Sequence, residues 1–169
     1  IDTKGDLIKD RPFTSIEGKG FFVKEVDNAV LDGTVDFAVH SMKDLPADLA
    51  PGLFQASVPK RKPPFDCLIS SFSSIDHLPQ SAKVGTSSLR LQSEILRLRN
   101  DLEVVDLRGN LDTRLKKLDG GECDAIIVAE AGLVRLGYKE FTRLSIDEMI
   151  PASGQGALSL VCRDDDDAV

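Results

Sequence analysis

The sequence predicts an α/β fold of two lobes, one inserted into the other and joined to it by two hinge crossings. Short apolar runs alternate with amphipathic stretches along most of the chain, which is the pattern of strand–helix units with parallel strands. Lys60-Arg61-Lys62-Pro63-Pro64 interrupts it, because two prolines amid charges continue neither a helix nor a central strand. Ile150-Pro151-Ala152-Ser153-Gly154 interrupts it again, and a strand-like run returns at Leu158. One crossing out and one back imply a first lobe over 1–58 completed by 156–169, an inserted lobe over 65–150, and hinge segments at 59–64 and 151–155. Hinged anion-binding proteins share this plan, with the ligand between the lobes, outside the carboxyl ends of strands.

In chain order, Phe22, Val26, Ala29 and Val30 recur at helical spacing, and Gly33 supplies a stop. Val35 to His40 and Leu53 to Val58 read as strands, and Cys67 to Ser70 reads as another after the proline break. Thr86-Ser87-Ser88 forms a capping cluster before a helix striped by Leu91, Ile95 and Leu98. Glu103 to Leu107 is a strand, and Leu111, Leu115 and Leu118 mark a helix stopped by Gly120-Gly121. Asp124 to Ala129 is an apolar strand, a short helix ends near Gly137, and Leu158 to Cys162 is the last strand. The acidic tail Asp164 to Asp167 reads as a solvated segment.

Composition narrows the function classes. Of 169 residues, 41% are hydrophobic but only 5% aromatic, with no Trp, so Leu, Ile, Val and Ala must fill the core. A net charge of -7 argues against bulk attraction to nucleic acid or an anionic membrane. No apolar run approaches the roughly 20 residues that span a bilayer. The three cysteines, Cys67, Cys123 and Cys162, are widely spaced and sit in apolar runs. They predict small buried hydrophobes rather than a disulfide framework or a metal site. The chain opens on Ile1 without a signal-peptide pattern, and the native N-terminus is expected upstream.

The polar residues of interest follow strands. His40-Ser41-Met42-Lys43-Asp44-Leu45-Pro46 comes after one strand, Thr86-Ser87-Ser88-Leu89-Arg90 precedes one helix, and Leu107-Arg108-Gly109-Asn110 with Arg114 precedes another. Arg135 lies after the Asp124 to Ala129 strand. A helix N-terminus favours anions, so arginines gathered there point to an anionic ligand that uses both the free N–H groups and the guanidinium forks. Arg suits carboxylates in particular. Asp44 beside Lys43 is an acid placed to donate protons to a leaving amine or to stabilise a cation. Gly18-Lys19-Gly20 before the first helix is a weaker anion cradle.

These segments resemble the porphobilinogen deaminase family. His40 to Pro46 is similar to its HSxKDxP signature, and Gly18 to Glu25 to its glycine-lysine-glycine loop and following helix. Val84 to Arg90 is similar to its GTSSLRR segment, and Leu107 to Leu115 to its LRGN…TRL segment. Ala131 to Leu136 and Gly154-Gln155-Gly156-Ala157 complete a series that runs in order along nearly the whole chain. The resemblance implies a two-lobe fold of the periplasmic-binding-protein type (type II) and a third α+β domain, not present here, whose cysteine carries a thioether-linked dipyrromethane cofactor. It implies a monomeric transferase that deaminates porphobilinogen stepwise to hydroxymethylbilane. It makes Asp44 the catalytic acid and places Lys19, Phe22, Ser41, Lys43, Thr86, Ser88, Arg90, Arg108, Gly109, Arg114, Arg135 and Gln155 around the cofactor and substrate. Every pyrrole carries an acetate and a propionate, which accounts for the cations.

The second arginine of GTSSLRR is Leu91 here. An arginine at 91 is expected to tighten cofactor binding if position 91 faces the cleft, and to destabilise the fold if it is core. A non-catalytic carboxylate binder or a degenerate relic would share the fold; Lys43 beside Asp44 favours the enzyme, Leu91 the relic. Ser145 to Pro151 is similar to plant and algal members, which leaves cytoplasm and plastid stroma as the expected compartments.

Overall fold

The computed structural model describes Ile1 and residues 23–166. Lys19, Phe22 and the glycine-rich stretch before the first helix lie outside the described residues. In chain order the elements are α1 (Lys24–Leu31), β1 (Phe37–Ser41), β2 (Leu53–Ser57), β3 (Asp66–Ser70), β4 (Lys83–Gly85), α2 (Leu89–Leu98), β5 (Glu103–Val105), α3 (Leu111–Asp119), β6 (Ala125–Ala129), α4 (Glu130–Arg135), β7 (Thr142–Arg143) and β8 (Leu158–Arg163). Single 3-10 turns occupy Met42–Asp44 and Ile75–His77. The chain divides into two units, Ile1–Lys62 with Ser153–Val169, and Pro63–Ala152.

In the first unit β8 lies between β1 and β2, antiparallel to both. Alternation along β1 turns Ala38 and His40 inward and Phe37 and Val39 outward. Val30, Ala38, Leu53 and Val161 form the core, with Val26, Val35 and Leu45 packed against it. Arg163, at the end of β8, donates to the carbonyls of Val30 (2.8 Å) and Val35 (3.2 Å), tying α1 and the loop after it to the sheet. Asp166 pairs with Arg163, and the Asp164 N–H donates to the Gly52 carbonyl. This part of the acidic tail is thus engaged with the fold rather than simply solvated.

The second unit has the strand order β5-β4-β6-β3-β7. β4 runs parallel to β5 and β6, whereas β3 runs antiparallel to β6 and β7. The all-parallel expectation therefore holds only where a helix makes the crossover, α2 from β4 to β5 and α3 from β5 to β6. Only a 3-10 turn separates β3 from β4, and β3 enters the sheet against the direction of the rest. β6 feeds two cores by its period of two. Ala125 and Ile127 join Leu68, Val84, Leu91 and Ile95 in one cluster, and Ile126 and Val128 join Cys67, Leu107 and Leu133 in the other.

Ile95 of α2 has no exposed surface. Ile95→Ala is expected to cost about 2–5 kcal/mol through lost burial and the cavity left behind. Leu96→Ala, one residue on at an exposed position, should stay within about 0.5 kcal/mol of the parent. Urea unfolding of the two variants measures the contrast.

Candidate functional site

In the first unit the site forms where β1 ends. Ser41 is the last residue of β1, opposite Leu158 of β8. The chain then makes the Met42–Asp44 turn, held by the Met42 N–H donating to the Ala157 carbonyl at 3.1 Å. Gly154 packs under this turn with φ +69, and a Cβ there would stand 2.8 Å from Met42 Cγ, so glycine is needed for both reasons. The next residue, Gln155, is fully buried. Its side-chain Oε1 accepts from Lys43 Nζ at 3.5 Å and its backbone carbonyl accepts from Arg61 Nε at 2.9 Å. One buried glutamine thus receives two cations, Lys43 on its side-chain amide and Arg61 on its backbone carbonyl. Desolvation raises the Asp44 carboxyl above its ordinary value, opposed by the attraction of Lys43 and His40. Behind the turn, His40 Nε2 lies 3.1 Å from Asp27 Oδ1, and both residues are buried. Burial raises the Asp27 carboxyl, opposed by His40.

In the second unit two loops meet at the carboxyl ends of the parallel neighbours β4 and β5. The Thr86 N–H continues the ladder to the Val105 carbonyl (2.9 Å), and Ser87 Oγ donates to the Leu107 carbonyl (2.7 Å), joining the loops. Thr86 is buried and its Oγ1 accepts from the Ser88 N–H at 3.2 Å. Ser88 caps α2, accepting from the Leu91 N–H, and Asn110 caps α3, accepting from the Thr113 N–H at 2.9 Å. Two helix N-termini therefore open beside two strand ends, an arrangement suited to anions.

The arginines occupy these loops with partners already in place. Arg90 Nη1 and Nη2 fork onto the Asp66 carboxylate at 2.9 and 3.1 Å, and Nη1 also donates to the Ile150 carbonyl at 2.6 Å. Arg108 Nε donates to Asp106 at 3.2 Å. Arg114 Nε donates to the Gly109 carbonyl at 2.8 Å, and burial lowers its pKa, opposed by Asp106. Gly109 has φ +114, and a Cβ there would stand 2.6 Å from Thr113 Cγ2, so only glycine allows this close turn. Arg135 is exposed in the last turn of α4, where the helix dipole itself favours a cation.

Sequence reasoning missed Asp66, Asp27 and Arg61. The available signal for Asp66 was an acid opening an otherwise apolar strand. Leu91, 6% exposed, is core, packed with Leu68, Ile95 and Met149. The apolar-stripe alternative therefore describes it, and an arginine at 91 would start from a buried position. The three cysteines are free and buried, and desolvation pushes the Cys67 thiol up to about 12.

Residues 1–169 match the family model described as porphobilinogen deaminase, dipyromethane cofactor binding domain. The chain is 53% identical over 168 residues to a porphobilinogen deaminase of Nitratidesulfovibrio vulgaris, covering 98% of this chain and 53% of the relative. It is 52% identical over 169 residues to one of Caulobacter vibrioides, covering 98% and 52%. Among solved structures, a periplasmic binding protein from Brucella ovis with glutathione bound aligns with TM-score 0.50 at 18% identity, over 85% of this chain and 47% of that one. The sulfate-bound regulatory domain of an OxyR2 mutant from Vibrio vulnificus also gives 0.50, at 14% identity, over 86% and 71%. These two share the fold. The chain belongs to the porphobilinogen deaminase family and has the mixed α/β, periplasmic-binding-protein-like fold of type II. It spans about half the length of the curated relatives it matches.

The family's cofactor is a dipyrromethane, whose pyrroles carry carboxylates. The donors present, guanidinium groups at capped helix starts, are the right chemistry to hold carboxylates. The described cysteines do not fit a thioether link, since all three are buried and Cys67 resists ionisation.

Leu91→Arg places a guanidinium in a packed core, where an unpaired charge neutralises or forces the structure open. It is expected to lower the melting temperature by many degrees, by the same route as other buried-charge substitutions. Differential scanning calorimetry of the variant checks this; an unchanged melting temperature would place position 91 on the surface instead.

Proposed function

We propose that this chain holds dipyrromethane and the growing pyrrole chain as part of a porphobilinogen deaminase, which joins porphobilinogen units into hydroxymethylbilane with release of ammonia. The observation that carries this reading is the Lys43–Asp44 turn, a cation and an acid on one rigid turn braced by a buried glutamine. A carboxylate binder needs the cation but has no use for the acid beside it.

Dipyrromethane, when bound, supplies the primer from which the chain grows. Arg90, Arg108 and Arg114 of the second unit, and Lys43 of the first, hold acetate and propionate groups, with the helix starts at Ser88 and Asn110 adding N–H donors. Thr86, Ser41, Gly109 and Gln155 shape the turns that carry these donors. Lys19, Phe22 and Arg135 complete the assignment on the resemblance alone. When the aminomethyl C–N bond of the substrate breaks, its electrons leave with nitrogen as ammonia and the ring becomes cationic. Ionised Asp44 stabilises that cation, and the upward shift of its pKa by burial makes it a better proton acceptor than an ordinary carboxylate. Lys43 limits the rise, so the pair sets the value together.

A chimera in which this chain replaces the matching part of the Nitratidesulfovibrio vulgaris relative provides the test. It should form hydroxymethylbilane, and Asp44→Asn should lose most turnover while keeping fold and cofactor, because the amide carries neither charge nor proton. Near-normal turnover in Asp44→Asn would remove Asp44 from the chemistry. Activity that needs ionised Asp44 falls as the pH drops through its raised value. Lys43→Met removes an attraction that holds that value down, so the acid limb of kcat should move to higher pH.

The isolated chain should carry no covalent dipyrromethane and make no hydroxymethylbilane, because its described cysteines are buried thiols. Intact-mass measurement after incubation with porphobilinogen decides this; a stable adduct on Cys67, Cys123 or Cys162 would overturn it.

A further inference from the structure

Arg90 has five N–H donors in one plane. Three are used within the second unit: one from each Nη to Asp66, and the other from Nη1 to the Ile150 carbonyl. The two that remain, Nε–H and the second N–H of Nη2, lie on the same edge of the guanidinium. They point in parallel and make a fork that matches one carboxylate. The Asp66 side chain is 1% exposed and that of Arg90 28%, so the acid is sealed while the arginine still reaches solvent.

Asp66 is itself held in the sheet. It opens β3 opposite Ala129 of β6, and its carbonyl accepts from the Leu144 N–H at 3.0 Å. Ile150 supplies a second stop from a different segment. An arginine in a helix's first turn is ordinarily a long, mobile side chain in an unfavourable place. Here its rotamer is fixed in advance, and ordering it is not a cost borne on binding. Asp66 also offsets the guanidinium's charge, which leaves geometry rather than bulk attraction to select the ligand.

We infer that Asp66 is a positioning residue: it holds Arg90 by the Nη1–Nη2 edge so that the adjacent Nε–Nη2 edge receives a single carboxylate. The inference deepens the proposed function and rests on its assignment of Arg90 to a pyrrole carboxylate. It adds a residue that never touches the ligand yet decides how the ligand is gripped. A brace serving only the fold would be indifferent to anything arriving at the adjacent edge.

Arginine side-chain 15N–1H spectra of the chain test this, with succinate as the probe and chloride at equal ionic strength as the control. Succinate should move the Arg90 Nε–H resonance and leave the Nη protons on Asp66 in place; chloride should move neither. Asp66→Asn should weaken succinate binding about tenfold, and in an Arg90→Lys background it should cause no further loss. An Nε–H that ignores succinate, or equal affinity in the parent and Asp66→Asn, overturns the inference. Should Asp66→Asn fail to fold, Arg90→Lys keeps a cation against Asp66 but has no second edge; undiminished succinate binding by that variant overturns it as well. Porphobilinogen in place of succinate separates the two proposals. If succinate moves Nε–H and porphobilinogen does not, the substrate assignment fails while the role of Asp66 stands.

Discussion

Lys43 donates to Gln155, Arg90 to Asp66 and Ile150, Arg108 to Asp106, and Arg114 to the Gly109 carbonyl. The candidate cations of each unit are therefore oriented by acceptors of that unit itself. This matters because long basic side chains lose much freedom when they are fixed, and a ligand that must fix several of them binds weakly. Supplying the acceptors internally moves that loss into folding. It also explains why buried or half-buried polar groups gather at the ends of β1, β4 and β5, away from the apolar middle of each sheet.

The arrangement has an energetic condition. A buried carboxylate such as Asp66 is tolerable only while its partner stays in place, and removing one member of such a pair costs about 3–5 kcal/mol. The same holds for Glu130, buried at the start of α4 and forked by Arg143 at 2.8 and 2.5 Å, with Arg143 also lying 4.8 Å from the Phe65 ring centre. Asp66 and Glu130 sit at the same end of the β3–β6 pair: Asp66 begins β3 opposite Ala129, and the Glu130 N–H donates to the Phe65 carbonyl. Polar side chains thus anchor the point where the chain enters the second unit.

Much of this was legible in sequence. The stripe Leu91, Ile95, Leu98 behind Ser88 gave α2 and its cap, and Leu111, Leu115, Leu118 behind Asn110 gave α3, because both signals are local. Strand β6 was legible from five apolar residues in a row. Strand direction was not, since residues 66–70 look alike whether they run with β6 or against it. The partner of Arg90 lies 24 positions away, and nothing in the local pattern of either residue names the other. The motif-bearing turns were found by resemblance, but what holds them, Gln155 beneath Lys43 and Asp27 beside His40, came from tertiary contacts. Leu91 was legible both ways, as a lost arginine or a gained core residue, and burial decides for the core.

The position of β8 has a consequence for how the molecule is made. A ribosome releases β1 and β2 first, with Phe37, Val39 and Phe54 on their outer faces, but the strand that separates and pairs them arrives only after the whole of Pro63–Ala152 has emerged. The second unit holds all of its own strands and can close during synthesis. Among the described residues, β1 and β2 of the first unit pair with no strand but β8, so their β8-facing edges must wait, exposed to wrong partners. Nascent chains stalled short of residue 158 would therefore carry one finished unit and one open sheet, and it is the earlier-born half that depends on the later.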